Sequence, residues 1–308
     1  MRRNRLLLAA FVLPFVLVTA AACGGGSGGG SGKLPTVTGS YGDKPTLTFS
    51  GKPSKTLQKQ VLKEGTGTAI AKGDLIVVDY LGQIFKGKLL DNTYDRKQPL
   101  GAPIGSGKVF PGWDEALVGV KVGSRVLLVL PPDKGYGAQG NSQAGISGTD
   151  TLVFVIDVID VYGPTAAGDP KAVKQTTSTG GVKVGGALAK RPTVSVTKGT
   201  AVPKKAVTVL LAKGTGAVVK AGFVVLHYEA VDWTNKALAS TWKLGAPAGI
   251  AVGQASTPNP FDSLVGMPVG SRVLVEIPPQ PGSKPTDSAA VVIDIVAEPP
   301  TAKEAAAG

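Results

Sequence analysis

The chain has 308 residues but a single cysteine, Cys23, and a single histidine, His227. A structural zinc site, an iron–sulfur cluster and an internal disulfide all need more ligands than that, so counting excludes them. A serine or cysteine triad would have to use His227 or none. Aromatic residues make up 6% of the chain, so any aromatic pocket must be small and local. Acidic residues are scarce, 21 against 33 Lys and Arg, which leaves a net charge of +12. A basic balance can signal nucleic-acid or membrane binding. No segment joins a dense Lys/Arg cluster to interleaved aromatics, however. The lysines are scattered and read as a solvated surface attracted to an anionic cell surface, with no nucleic-acid partner expected. Apolar residues are plentiful at 43%, against 18% charged, which is enough to build real cores. At about 150 residues per domain the length suggests two domains.

The amino terminus reads as an address. Three arginines and no acid stand within the first five residues, and an apolar stretch runs from Leu6 to Ala22, interrupted by Pro14. This is the pattern of a signal peptide over residues 1–22. Ala20-Ala21-Ala22-Cys23 resembles a bacterial lipobox, with Ala20 where a branched residue is usual. The resemblance implies an exported lipoprotein held at the outer face of the cell membrane through lipid on Cys23. The alternative is a soluble secreted protein with a stray cysteine. A Gly/Ser tether over residues 23–33 follows.

The remainder is one unit written twice. Gly119 to Pro132 reads GVKVGSRVLLVLPP and Gly266 to Pro279 reads GMPVGSRVLVEIPP. In the same order, a GTG at Gly65–Gly67 matches Gly214–Gly216, LGAP at Leu100–Pro103 matches Leu244–Pro247, and TDTLVFVID from Thr149 matches TDSAAVVID from Thr286. Repeats of this kind place a first domain at 34–163 and a second at 181–298. Residues 164–180 read as a linker and residues 299–308 as a flexible tail with no core to join. In the first unit, apolar runs of strand length fall at 57–63, 75–80, 124–130 and 151–161, with one short helical segment over 113–118. In the second, runs fall at 224–228, 271–277 and 290–296. Strands around one helix make the fold class α+β.

Five stretches of the first unit, in order, carry a resemblance: Val78-Asp79-Tyr80-Leu81-Gly82, Leu90 to Arg96 (LDNTYDR), Val109 to Leu117 (VFPGWDEAL), Pro131 to Gly137 (PPDKGYG) and Thr151-Leu152-Val153-Phe154. Together they resemble the FKBP family of peptidyl-prolyl cis-trans isomerases. The resemblance implies two FKBP-like domains, each an antiparallel sheet of about five strands wrapped around a short helix, with a shallow apolar pocket. It makes Trp113 the pocket floor, and Tyr80, Leu90, Leu100, Val109, Phe110, Ile146 and Phe154 its substrate-binding walls. Tyr136 would donate to a ligand carbonyl, and Asp91 would polarise or orient the site. The chemistry needs no cofactor or metal. A prolyl amide crosses a barrier of about 18–20 kcal/mol because the twisted state loses resonance, and an apolar cleft can favour that state without moving a proton. The implied partners are proline-containing unfolded or exported polypeptides and an FK506-like macrolide. Leu90 and Leu100 stand where Phe is usual, Phe110 where Ile is common, and Asn141 where His is common. Taken singly, each residue has a structural alternative: Trp113, Tyr80 and Phe154 as core, Tyr136 as a turn aromatic, Asp91 as a turn former or cap, Asp95 and Arg96 as a surface ion pair.

The second unit is expected to keep the fold and lose the site. Ala239 aligns with Asp91, the segment carrying Asp95 and Arg96 aligns as shortened, Trp113 falls on Pro260 or Phe261, and ten residues that would include a Tyr136 counterpart are gone. Tyr228 matches Tyr80. His227 is expected to be a strand histidine facing away from the core. Two functions follow: a prolyl isomerase assisting the folding of exported proteins through its first domain, or a non-catalytic surface lipoprotein that binds clients or a partner.

Overall fold

In a computed structural model, residues 32–176, 178–254 and 259–307 are described. The expected signal peptide, Cys23 and nearly all of the tether lie outside them. Strands appear in chain order as β1 (Thr36–Thr38), β2 (Thr46–Thr48), β3 (Gln58–Lys63), β4 (Leu75–Ile84), β5 (Leu89–Asn92), β6 (Leu100–Pro103), β7 (Arg125–Leu130) and β8 (Leu152–Tyr162). They continue as β9 (Val173–Lys174), β10 (Ser178–Thr179), β11 (Val182–Gly185), β12 (Thr193–Val196), β13 (Val207–Lys213), β14 (Gly222–Asp232), β15 (Ala237–Ser240), β16 (Ala248–Val252), β17 (Arg272–Ile277) and β18 (Ala289–Ala297). The helices are short: α1 (Thr93–Arg96), α2 (Pro111–Ala116), α3 (Thr241–Leu244) and α4 (Ala302–Ala307). The architecture is mostly sheet, so α+β describes it only coarsely.

The first sheet has six strands rather than five, in the order β3-β7-β8-β4-β5 with β6 also on β4. The extra strand arises because α1 interrupts the outer strand. Leu81–Gln83 pair with β5, and Leu75–Val78 pair with β6. Asn92 starts α1 by accepting the Asp95 amide at 2.8 Å on its Oδ1, an N-cap bond. The second sheet repeats the order as β13-β17-β18-β14-β15, with β16 on β14 and β9 added outside β13.

The strand runs read as unbroken apolar stretches because both faces of each sheet are covered. On one face Ile76, Val78, Leu128, Phe154 and Ile156 meet Trp113 and Leu117 of the α2 segment. Alternate residues Leu127, Val129, Val153 and Val155 meet Leu34, Val37, Leu47 and Phe49 around the β1–β2 hairpin. Behind the second sheet, Val182, Val184 and Val196 of β11 and β12 do the same for Leu274 and Val292. Leu117 and Leu128 have no exposed surface, and truncating either to Ala would cost about 2–5 kcal/mol.

The repeated VGSR and VID strings have a structural cause. Arg125 forms a bidentate pair with Asp157 at 2.6 and 2.7 Å. It also donates to the carbonyls of Gly39 and Asp43, which ties the hairpin down. Arg272 and Asp294 make the same pair at 2.6 and 2.7 Å, with Lys190 O as a further acceptor. A buried pair is tolerable only when its spare hydrogen-bonding groups are satisfied. Gly42 N and the Tyr94 hydroxyl donate to Asp157 Oδ2. Burial and the neighbouring Asp157 carboxylate push the Tyr94 hydroxyl far above its usual range, so it stays a donor. Ser124 and Ser271, the serines of the same string, accept the amides of Gly65 and Gly214. A Cβ on Gly65 would lie 2.1 Å from Val122 O, which explains the glycine that opens the GTG.

Three expectations are corrected. The linker is not featureless: Val173 and Lys174 pair with β13, and Asp169 accepts from Thr215 at 2.8 Å. The tail does join a core. Ala302 is 2% exposed and packs in one cluster with Tyr41, Leu75, Val77, Ile159, Phe223 and Val225. That cluster draws on both sheets, so the described residues belong to one compact unit. Its tightest point is a slot in which a Cβ on Gly101 would lie 2.9 Å, and one on Gly249 2.1 Å, from Phe223 Cζ. Finally, the LGAP match misplaces the register. β16 pairs Phe223 with Ala251 as β6 pairs Leu75 with Pro103, so Leu100 corresponds to Ala248, not Leu244. No residues are missing after Trp242. α3 has the length of α1, with Lys243 and Leu244 in place of Asp95 and Arg96.

Candidate active site

The concave face of the first sheet and the turn into α2 enclose a cavity of about 590 Å3. Tyr80, Leu90, Asp91, Leu100, Val109, Phe110, Trp113, Tyr136 and Phe154 all line it, nine of the ten expected residues. Ile146 does not. It is 4% exposed in the core beneath the loop, locked by paired backbone bonds with Asn141 at 2.8 Å. Gly82, Lys108, Pro111 and Gly135 also line the cavity. A larger cavity of about 970 Å3 lies between the hairpin, α1 and the C-terminal segment. Lys44–Asp95 and Lys303–Asp43 pairs lie in its walls, and none of the expected site residues reaches it.

Each wall has a local cause. Pro111 opens α2 at a position where a missing amide costs nothing, and its fixed φ suits a helix start. One turn of helix then buries Trp113 against the sheet, 2% exposed. Trp113 stands edge to face with Phe154 at 5.3 Å and 89° and with Tyr80 at 5.6 Å and 85°. Such pairs add about 0.5–1.5 kcal/mol beyond area burial and fix ring orientation. Phe110 continues the chain, 5.5 Å from Phe154 and 5.0 Å from Tyr136. Gly82 makes the arrangement possible. It faces Phe154 across the ladder, and a Cβ there would meet the ring at 2.6 Å. The cross-strand pairing of a glycine with an aromatic was the signal available for it.

The polar part of the site is a triplet. The Tyr80 hydroxyl donates to Asp91 Oδ2. Arg96 Nη1 donates to Asp91 Oδ1 at 2.5 Å and to Asn92 O at 3.0 Å. The guanidinium lies 5.6 Å over the Tyr80 ring. Burial, then the bond to Asp91, pushes the Tyr80 hydroxyl above its usual range, so it remains a neutral donor. The surface pair considered for Asp95 and Arg96 does not form; Asp95 instead pairs with Lys44 at 2.6 Å. Asp91 does not cap α1, a role Asn92 takes. Tyr136 is 38% exposed, and among the described residues nothing bonds its hydroxyl. Trp113 Nε1 is buried without a partner among them as well.

The second sheet holds the same frame without these groups. Phe261 packs partly buried where Trp113 packs, beside fully buried Leu264. Asp262 accepts the Gly253 amide at 2.7 Å as Asp114 accepts the Gly105 amide at 2.6 Å. Ala239 and Leu244 replace Asp91 and Arg96. His227 does face away from the main core of its sheet, yet it is not exposed. It has no exposed surface, stacks on Trp242 at 4.0 Å, and shares a 2.8 Å hydrogen bond with Thr241 Oγ1. Among the described residues, no cluster of His, Cys, Asp and Glu could hold a metal ion.

A family model described as FKBP-type peptidyl-prolyl cis-trans isomerase matches residues 67–159. Peptidyl-prolyl cis-trans isomerase FKBP9 of Homo sapiens is 30% identical over 232 residues, 75% of this chain and 34% of that protein. FKBP-type peptidyl-prolyl cis-trans isomerase FkpA of Escherichia coli (strain K12) is 40% identical over 114 residues, 37% of this chain and 41% of that protein. The chain therefore spans well under half the length of these two relatives. FK506-binding protein of Neisseria meningitidis is 40% identical over 101 residues, a third of this chain but 92% of that protein. With nearly the whole of that last relative matched, the chain belongs to the FKBP-type peptidyl-prolyl cis-trans isomerase family.

Proposed function

We propose that the chain is a peptidyl-prolyl cis-trans isomerase that assists the folding of exported proteins, with its activity in the first sheet. The observation that carries this is the box of Tyr80, Trp113, Phe154 and Phe110 with Asp91 and Tyr136 at its edge. A proline ring is apolar and rigid, and the edge-to-face walls suit it. Excluding water from the amide removes hydrogen bonds that favour its planar, charge-separated form, so twisting costs less. The free Tyr136 hydroxyl supplies a donor for a substrate carbonyl, worth about 0.5–1.5 kcal/mol. The Asp91 carboxylate, fixed by Tyr80 and Arg96, supplies a field that need not reorganise as the amide twists. No bond is made or broken, so the site needs no nucleophile. An FK506-like macrolide would compete for the same box.

The N-terminal pattern supports export and anchoring through lipid on Cys23. The internal repeat, the shared strand order and the reach of the FKBP9 match beyond residues 67–159 support a tandem of FKBP-like domains, the second degenerate. One observation favours a client-binding role for that second half. Leu238 and Leu244 are 52% and 73% exposed, where Leu90 and Arg96 flank the first site. Uncatalysed isomerisation takes tens to hundreds of seconds, so acceleration of a proline-limited refolding reaction by sub-stoichiometric protein tests the enzyme. Slowing of refolding only at stoichiometric protein would favour binding alone. Release of the protein from membranes by Cys23→Ser tests the anchor, and retention would refute it.

A further inference from the structure

We propose that Lys108 selects proline substrates carrying an acidic residue within two positions of the proline; the inference rests on the isomerase reading of the same pocket. Among the described residues, two charged side chains line the cavity, Asp91 and Lys108. Asp91 is already compensated, with Arg96 at 2.5 Å and the Tyr80 hydroxyl on its other oxygen. Lys134, on the turn leading to Gly135 and Tyr136, is paired with Glu115 at 2.6 Å. Among the described residues nothing pairs with the ammonium of Lys108, which is exposed on the loop between β6 and α2. The pocket therefore presents one uncompensated positive charge at its rim, beside the Val109 and Phe110 walls.

That charge is within reach of a bound chain. Successive Cα atoms lie about 3.8 Å apart, so a residue one or two places from a buried proline leaves the cavity close to its rim. The separation falls inside the screening length of about 8 Å at physiological salt. Exposed charge pairs are weak, so the expected preference is about two- to fivefold in kcat/KM for Glu over Lys at the flanking position. It should collapse towards unity near 1 M salt, where screening acts over about 3 Å. The effect is one of selection among substrates and leaves the chemistry of the twisted amide unchanged.

The test measures kcat/KM of the full chain for proline tetrapeptides with Glu, Gln or Lys placed before or after the proline, at low and high salt. Lys108→Glu should reverse the order of Glu and Lys peptides, each read as a ratio to the Gln peptide with the same protein. Lys198→Glu makes the same change of net charge on an exposed residue far along the chain, and should leave the order unchanged. An identical Glu-to-Lys ratio in the wild type and Lys108→Glu would overturn the inference, as would an equal reversal by Lys198→Glu, which would assign the preference to overall charge. Normal turnover of the Gln peptide with no charge dependence would sink this inference alone. No acceleration of any peptide would sink the isomerase reading, and this inference with it.

Discussion

Arg96 and Asp91 form an ion pair at the mouth of the aromatic box, 2.5 Å from Nη1 to Oδ1, with the Tyr80 hydroxyl on the second carboxylate oxygen. Both side chains are about half exposed, so the pair adds little to stability. Its effect is to fix the direction of the carboxylate. Asp91→Ala should lower kcat/KM by roughly tenfold, about 1.4 kcal/mol in the barrier, with the melting temperature nearly unchanged. Arg96→Ala should cost less. The double variant should fall short of the product of the two losses, because both act through one interaction. Peptide kinetics and thermal denaturation of the four proteins check this together.

Gly82→Ala tests the packing of the box without touching its polar groups. The added methyl would lie 2.6 Å from the Phe154 ring, so the ring or the strand must shift. Overpacking of this kind costs about 1–3 kcal/mol. The expected outcome is a folded protein with raised KM and a smaller loss in kcat, read from steady-state peptide kinetics.

Arg125→Met should destabilise strongly, by about 3–5 kcal/mol, because it leaves Asp157 buried with its ionic partner gone. It also releases the hairpin carbonyls of Gly39 and Asp43. Arg125→Met combined with Asp157→Leu should recover much of that loss, as apolar replacements of buried pairs often do. Urea denaturation of single and double variants decides between them.

His227 makes stability depend on acidity. Burial is the dominant cause that lowers its pKa, from about 6.5 to about 4. Between those values the unfolded chain holds a proton that the folded chain does not, so stability rises with pH through this window. The contribution is fully present above about pH 6.5 and is lost as pH falls towards 4. Carboxylates titrate in the lower part of the same range, so the comparison is with His227→Gln, whose melting temperature should fall less steeply between pH 6.5 and 5.

The site was more legible than its surroundings. Tyr80, Trp113 and Phe154 are each ordinary core residues alone; only their order along five motifs joins them, and in the fold their rings stand within 5.3–6.3 Å of one another. Ile146 sits in the core outside the cavity lining, on a loop whose unmatched length offers no register from sequence. The register after Trp242 is masked by an identical four-residue string, LGAP, that stands four residues before the structural match at Ala248. The better signal was the cap: Asn92 accepts from Asp95 N and Ser240 from Lys243 N, the same offset in both halves. The hairpins behind both sheets were invisible because an apolar run does not reveal whether one face or two are covered. Residues 299–308 looked featureless because alanine buries in a cluster without announcing itself.

The most direct measurement is the cis-to-trans rate of a short proline peptide with the full chain added, beside Tyr136→Phe. Tyr136 is 38% exposed and, among the described residues, nothing bonds its hydroxyl, so that hydroxyl can be removed with little effect on the fold. The account predicts a rate rising linearly with wild-type concentration, and a slope about two- to tenfold lower for the variant, as expected for one lost hydrogen bond. A folded wild-type chain that leaves the rate at its uncatalysed value would contradict it and make the box a docking surface.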